Sequence, residues 1–113
     1  MKFRDDFNTP YDYKSNGCGS GWLAKLIPNT IYGVSIREAC RRHDYSYEVG
    51  KTAEDKIIGD NQFLLNLLAI VEDADKWYYP TKLARLRAVD YYSAVRDHGD
   101  KAYWDGKDDE SNS

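Results

Sequence analysis

"SIREACRRHDYSYEVGKTAEDKIIGD", residues 35–60, carries two helix-start signatures on either side of a short break. Ser35 with Glu38 three residues on, and then Thr52 with Asp55, fit the capping-box pattern: a hydroxyl caps the helix start and a carboxylate reaches back. The first predicts a helix from about Ile36 to Val49, stopped at Gly50, and the second predicts another over about 53–73. Only two or three residues join them, so the two helices are expected to be antiparallel neighbours.

Further along, Pro80 predicts the start of a third helix running to about Asp97, with Ala84, Ala88, Tyr91 and Val95 as its apolar stripe. Residues 1–34 read as irregular, because Pro10, "NGCGSG" (16–21), Pro28-Asn29 and Gly33 are turn formers; "WLAKLI" (22–27) is a short apolar insert. The expected fold class is all-α, with one domain over 1–104 and the polar "DGKDDESNS" (105–113) as an acidic disordered tail.

With 113 residues, 42% of them hydrophobic and 31% charged, the chain has the balance of a globular protein. A net charge of −3 with no dense basic face argues against a nucleic-acid partner. The longest apolar run, "FLLNLLAIV" (63–71), is short and broken by Asn66, so no transmembrane segment is expected. "MKFRDDFNTP" has charges where a secretory leader would carry its apolar stretch; any export is expected to follow a non-standard route.

At about 100° per residue, Ile36, Ala39, Cys40, His43 and Tyr47 share one face of the first helix, with Asp44 at its edge. Arg37, Glu38, Arg41, Arg42 and Glu48 form the opposite face, expected to be solvated. On the second helix Ala53, Ile57, Leu64, Leu67 and Val71 line up as an apolar stripe with Asp60 in its centre. A buried carboxylate needs a partner, and the neighbouring helix offers His43 and Tyr47. A carboxylate that accepts one ring N–H fixes the imidazole tautomer and leaves the other nitrogen as a base.

Two features admit several uses. Cys18 and Cys40 are compatible with free thiols, with part of a zinc site alongside His43 and His98, or with one disulfide. The alternating glycines of "NGCGSG" allow a tight loop with its carbonyls turned to one side. Carbonyls plus one carboxylate such as Asp44 can supply most of the roughly six to eight oxygens that calcium takes.

"NGCGSGW", "CRRHDYSY" and "GDNQF" together resemble the phospholipase A2 superfamily: a glycine-rich calcium loop with a cysteine, a helix bearing Cys-x-x-His-Asp-x-x-Tyr, and an Asp on an antiparallel helix. The match spans about 16–64. The resemblance implies that His43 is the general base, Asp60 its orienting carboxylate and Tyr47 a phenol supporting Asp60. It implies Ca2+ held by Asp44 and the carbonyls of Gly17, Gly19 and Gly21, with the Gly19 N–H as oxyanion donor. It also implies a Cys18–Cys40 disulfide. The family's second supporting tyrosine has no clear counterpart, Tyr91 or Tyr92 being the candidates.

One possible disulfide and no room for a β-wing between the helices make the chain look closest to the small members in parvovirus capsids, bacteria and phages. The expected activity is calcium-dependent hydrolysis of the sn-2 ester of glycerophospholipids at a membrane surface, in a virion, a delivery particle or outside the producing cell. Trp22, Leu23, Leu26 and Ile27 are the expected interfacial residues, and "KWYYP" (76–80) is another interfacial candidate. The alternatives are a non-catalytic member of the fold that binds lipid or protein, and a small zinc-stabilised adaptor.

Overall fold

The computed structural model describes residues 2–14, 27–105 and 107, and among these it is mostly helical. A two-residue hairpin comes first: β1 (Thr30–Ile31) pairs antiparallel with β2 (Val34–Ser35), Thr30 opposite Ser35 and Ile31 opposite Val34. Tyr32 and Gly33 turn it with φ of 47° and 83°, a left-handed pair of the kind that fits tight hairpins. Four helices follow: α1 (Arg37–Val49), α2 (Ala53–Asp73), α3 (Thr81–His98) and α4 (Asp100–Trp104).

Of the two expected capping boxes, one forms. Thr52 accepts from the Asp55 N–H at 3.0 Å while the Asp55 carboxylate accepts from the Thr52 N–H. At Ser35 only half of the expected arrangement is present: its hydroxyl accepts from the Arg37 N–H at 3.3 Å at the start of α1, while Ile36, the residue directly before the helix, makes no side-chain cap bond. Ser35 is drawn into β2, and the Glu38 carboxylate is taken by Arg41 and Arg42 at 3.0 Å each.

Contacts between α1 and α2 run in opposite chain directions: Ser46 meets Gly59, His43 and Tyr47 meet Asp60, and the Arg42 carbonyl accepts from Gln62. Gly59 sets how close the helices come. A Cβ there would lie 2.5 Å from Ser46 Oγ, which is itself held by the His43 carbonyl at 2.6 Å. Gly59→Ala is therefore expected to destabilise the fold by about 1–3 kcal/mol through overpacking, read as a lowered urea midpoint.

The core is built where α2 and α3 pack on α1 and the hairpin, around Ile31, Ile36, Phe63, Leu67, Val71, Ala88 and Val95, all fully buried. Completely burying a side chain such as Leu67 contributes roughly 1.5–3 kcal/mol. The stripe read on α3 is the buried one: Ala84, Ala88, Tyr91 and Val95. On α2 the buried face is rotated from expectation. Ala53 and Ile57 are exposed and Leu64 is half-buried, while Lys56, Gln62 and Asn66 turn inward.

Those inward polar groups have partners far away in sequence. Asn66 exchanges two hydrogen bonds with the Arg4 backbone (2.6 and 2.9 Å), and Gln62 accepts from the Asp6 N–H at 2.7 Å. The N-terminal segment thus lies against α2 as a strap. It also covers part of the face of α1 expected to be solvated, while Arg37 and Glu48 stay exposed: Arg42 pairs with Asp5 at 3.0 Å, and Arg41 donates to the carbonyls of Pro10 and Tyr13 at 3.0 Å. Arg41, Arg42 and Glu38 are consequently only partly exposed.

At the other end, α4 was not anticipated. Its Tyr103 is fully buried and donates to the Thr52 carbonyl at 2.6 Å. The Lys107 ammonium contacts the Tyr47 and Tyr103 carbonyls, a cation at the carbonyl end of α1. Residues 106 and 108–113, most of the expected acidic tail, lie outside the described residues. No helix among the described residues is long and apolar enough to cross a membrane.

Candidate functional site

The buried face of α1 carries Ile36, Ala39, Cys40, His43 and Tyr47 as read, with Ser46 added. Asp60 on α2 faces it with 2% of its surface exposed. The His43 ring nitrogen Nε2 lies 2.8 Å from Asp60 Oδ1, and the Tyr47 hydroxyl donates to the same oxygen at 2.8 Å. The ring of Tyr47, at 4.3 Å between centroids, and that of Phe63, at 4.8 Å, wall the imidazole.

Lys56, which sequence reading did not single out, takes the other oxygen: its ammonium donates to Asp60 Oδ2 at 2.8 Å. It stands four residues before Asp60, the ordinary spacing of a helical ion pair, so the signal was present in "KIIGD". The two tyrosines considered as supports for Asp60 lie elsewhere. Tyr91 donates to the Thr30 carbonyl and Tyr92 to Asn61.

The electrostatics assign charges. Burial alone would push the Asp60 carboxyl up, but the hydrogen bonds and charges of His43 and Lys56 outweigh it and hold it below the usual carboxylate range. Burial pushes His43 down; the hydrogen bond and charge of Asp60 oppose this without reversing it, and Lys56 adds to the lowering. Burial raises the Tyr47 phenol, and Asp60 raises it further. At neutral pH the Asp60 carboxyl is ionised, and the Tyr47 phenol and the His43 imidazole are neutral. An ionised carboxylate only accepts, so the imidazole proton is on Nε2 and the lone pair on Nδ1.

The sign of the acid response follows. His43 in the folded chain stays neutral below the ordinary imidazole value of about 6.5, while the unfolded chain protonates there. The unfolded state then binds more protons, so stability falls as pH drops below about 6.5, at up to about 1.4 kcal/mol per pH unit. Asp60, depressed, adds a second loss as pH falls below its unfolded value of about 3.9. Urea midpoints from pH 8 to 5 in calcium-free buffer should show the first slope, and His43→Gln should flatten it.

Asp44 is half-buried on the edge of α1. Its charge acts on the Tyr13 phenol, which burial and a hydrogen bond to Glu48 raise first. Tyr13 in turn meets Tyr45 edge-on at 4.9 Å. Asp44 thus lies on the side of α1 that Tyr13, near the end of the N-terminal strap, approaches. Gly17, Gly19, Gly21 and Cys18, together with Trp22, Leu23 and Leu26, lie outside the described residues. Cys40 is fully buried, and no free thiol occurs among the described residues.

No group of three or more His, Cys, Asp and Glu among the described residues could hold a metal ion. The zinc set is not assembled among the described residues: His43 faces Asp60 in the core, while His98 is exposed at the end of α3.

Ile27 leaves the interfacial set. It is 2% exposed and packs in the core, where it anchors the approach to β1. In "KWYYP", Trp77 is 95% exposed and Tyr78 is exposed, while Tyr79 is half-buried and donates to the Ile31 carbonyl at 2.8 Å. No family model, curated protein or solved structure matches this chain.

Proposed function

We propose that the chain is a calcium-dependent esterase of the phospholipase A2 kind, cleaving the sn-2 ester of glycerophospholipids to a fatty acid and a lysophospholipid. The observation that carries this reading is the buried His43–Asp60 pair at 2.8 Å with Tyr47 on the same carboxylate oxygen. A tautomer-locked imidazole held by a carboxylate is a general base.

In the reaction His43 Nδ1 takes a proton from water as the water oxygen bonds to the ester carbonyl carbon. Asp60 holds the imidazolium through Nε2–H. The proton on Nδ1 then passes to the departing glycerol oxygen as the C–O bond breaks, and His43 returns to neutral. The Gly19 N–H donates to the oxyanion. Asp44 and the carbonyls of Gly17, Gly19 and Gly21 would hold Ca2+, which would supply positive charge for the ester carbonyl and the phosphate. A Cys18–Cys40 disulfide ties the loop to α1, consistent with the absence of a free thiol among the described residues. Trp22, Leu23, Leu26, Trp77 and Tyr78 meet the membrane surface, where aromatic side chains favour the interface.

A second reading, a non-catalytic lipid- or protein-binding module, is favoured by one observation: His43 has no exposed surface. Fatty-acid release from vesicles of phosphatidylcholine and phosphatidylglycerol separates the two. The esterase reading expects turnover in millimolar calcium, its loss with a chelator and its return on adding calcium back. It also expects Asp44→Asn to lose calcium binding in calorimetry. Calcium binding with no fatty-acid release would favour the second reading.

A further inference from the structure

Lys56 is among the few charged side chains in the interior, 7% exposed, and its surroundings are specific. Its ammonium donates to Asp60 Oδ2 at 2.8 Å and to the Arg96 carbonyl at 3.3 Å, and lies 3.3 Å from Asp100 Oδ1. An ammonium has three N–H donors, and three oxygens from three helices meet it here. Arg96 is in the last turn of α3, where carbonyls lack helical partners, and Asp100 opens α4. The Tyr47 ring lies 5.8 Å away on the fourth side.

This placement bears on Asp60. Its Oδ1 receives both His43 Nε2 and the Tyr47 hydroxyl, so the direction of the imidazole depends on that oxygen staying where it is. A carboxylate held on one oxygen only can swing about its last bond. With Oδ2 fixed by an ammonium that is itself bonded to α3, rotation is blocked from the far side.

Resting on the esterase reading of this site, we infer that Lys56 is a positioning residue: by holding Asp60 Oδ2 against the end of α3, it keeps Oδ1 aimed at His43 Nε2 and so fixes the tautomer in which Nδ1 is the basic nitrogen. A merely structural ion pair would move stability and leave the geometry of the imidazole alone.

The test compares Lys56→Gln, Lys56→Met and Lys56→Arg in the full chain, using the phosphatidylcholine and phosphatidylglycerol vesicles with calcium. Lys56→Gln keeps a donor without the charge and guards against a Lys56→Met chain that fails to fold. Expected is a kcat lowered roughly tenfold or more in Lys56→Gln with KM little changed, and recovery of most of it in Lys56→Arg. Added to Asp60→Asn, Lys56→Gln should cost nothing further in kcat, since it acts through that carboxylate. Nitrogen NMR of the labelled His43 ring should show Nε2–H alone in the wild type and in Lys56→Arg, and a tautomer mixture in Lys56→Gln.

Wild-type kcat in Lys56→Gln, or a loss that adds in full to that of Asp60→Asn, overturns the inference. If the wild-type chain releases no fatty acid, the esterase reading fails, and the ring spectra decide the role of Lys56 alone. An unchanged tautomer in Lys56→Gln then overturns it, and a mixed one supports it.

Discussion

Replacing His43 with glutamine is expected to lower fatty-acid release by roughly 10²–10⁴-fold, the range a positioned general base contributes. Glutamine keeps an amide that can donate to Asp60 Oδ1, so the carboxylate, Tyr47 and Lys56 can keep their places. What is lost is the basic nitrogen. The loss should fall on kcat, with far-ultraviolet circular dichroism and calcium affinity unchanged. Wild-type turnover by this variant would exclude His43 as the base and, with it, the proposed reaction.

The largest effect on stability is expected from Asp60→Ala. Asp60 terminates three interactions in the interior, from His43, Tyr47 and Lys56. Removing it takes away the acceptor shared by His43, Tyr47 and Lys56, and leaves the buried ammonium to the Arg96 carbonyl and the exposed Asp100, both at 3.3 Å. Breaking a buried charge pair from one side costs about 3–5 kcal/mol, a large part of the 5–15 kcal/mol that holds a typical domain together. Combining Asp60→Ala with Lys56→Met should recover part of the loss, because the buried charge goes too. Urea midpoints of the two single variants and the double variant measure this directly. A drop of less than about 1 kcal/mol for Asp60→Ala would mean that the cluster is not closed to water.

The His43, Asp60 and Tyr47 constellation was legible because each residue sits at a helical position, and the short link between the helices leaves one way to pair them. The α3 stripe was legible for the same reason. The α2 stripe was set wrongly where polar residues take inward positions. Gln62 and Asn66 are there because of Asp6 and Arg4, and periodicity cannot show partners so distant in sequence, whereas Lys56 had a local partner in Asp60 four residues on. Ser35 pairs in β2 through its backbone and still accepts from the Arg37 N–H, but Arg41 and Arg42 hold the Glu38 carboxylate that would have completed the box. Ile27 looked interfacial because it closes the apolar run "WLAKLI" after the glycine-rich stretch, but at the entry to the hairpin it is buried in the core. The hydroxyl of Tyr103 reaching Thr52 had no local signal at all.

Both chain ends fasten onto the same element. Arg4 and Asp6 clasp Asn66 and Gln62 on α2, and Tyr103 fastens beside Thr52, its cap residue. Each clasp rests on a few hydrogen bonds to α2, whereas α2 itself is packed into the core between α1 and α3. Loosening of either clasp should therefore precede global opening, with amides of residues 2–14 and 100–104 exchanging with solvent ahead of those in α2.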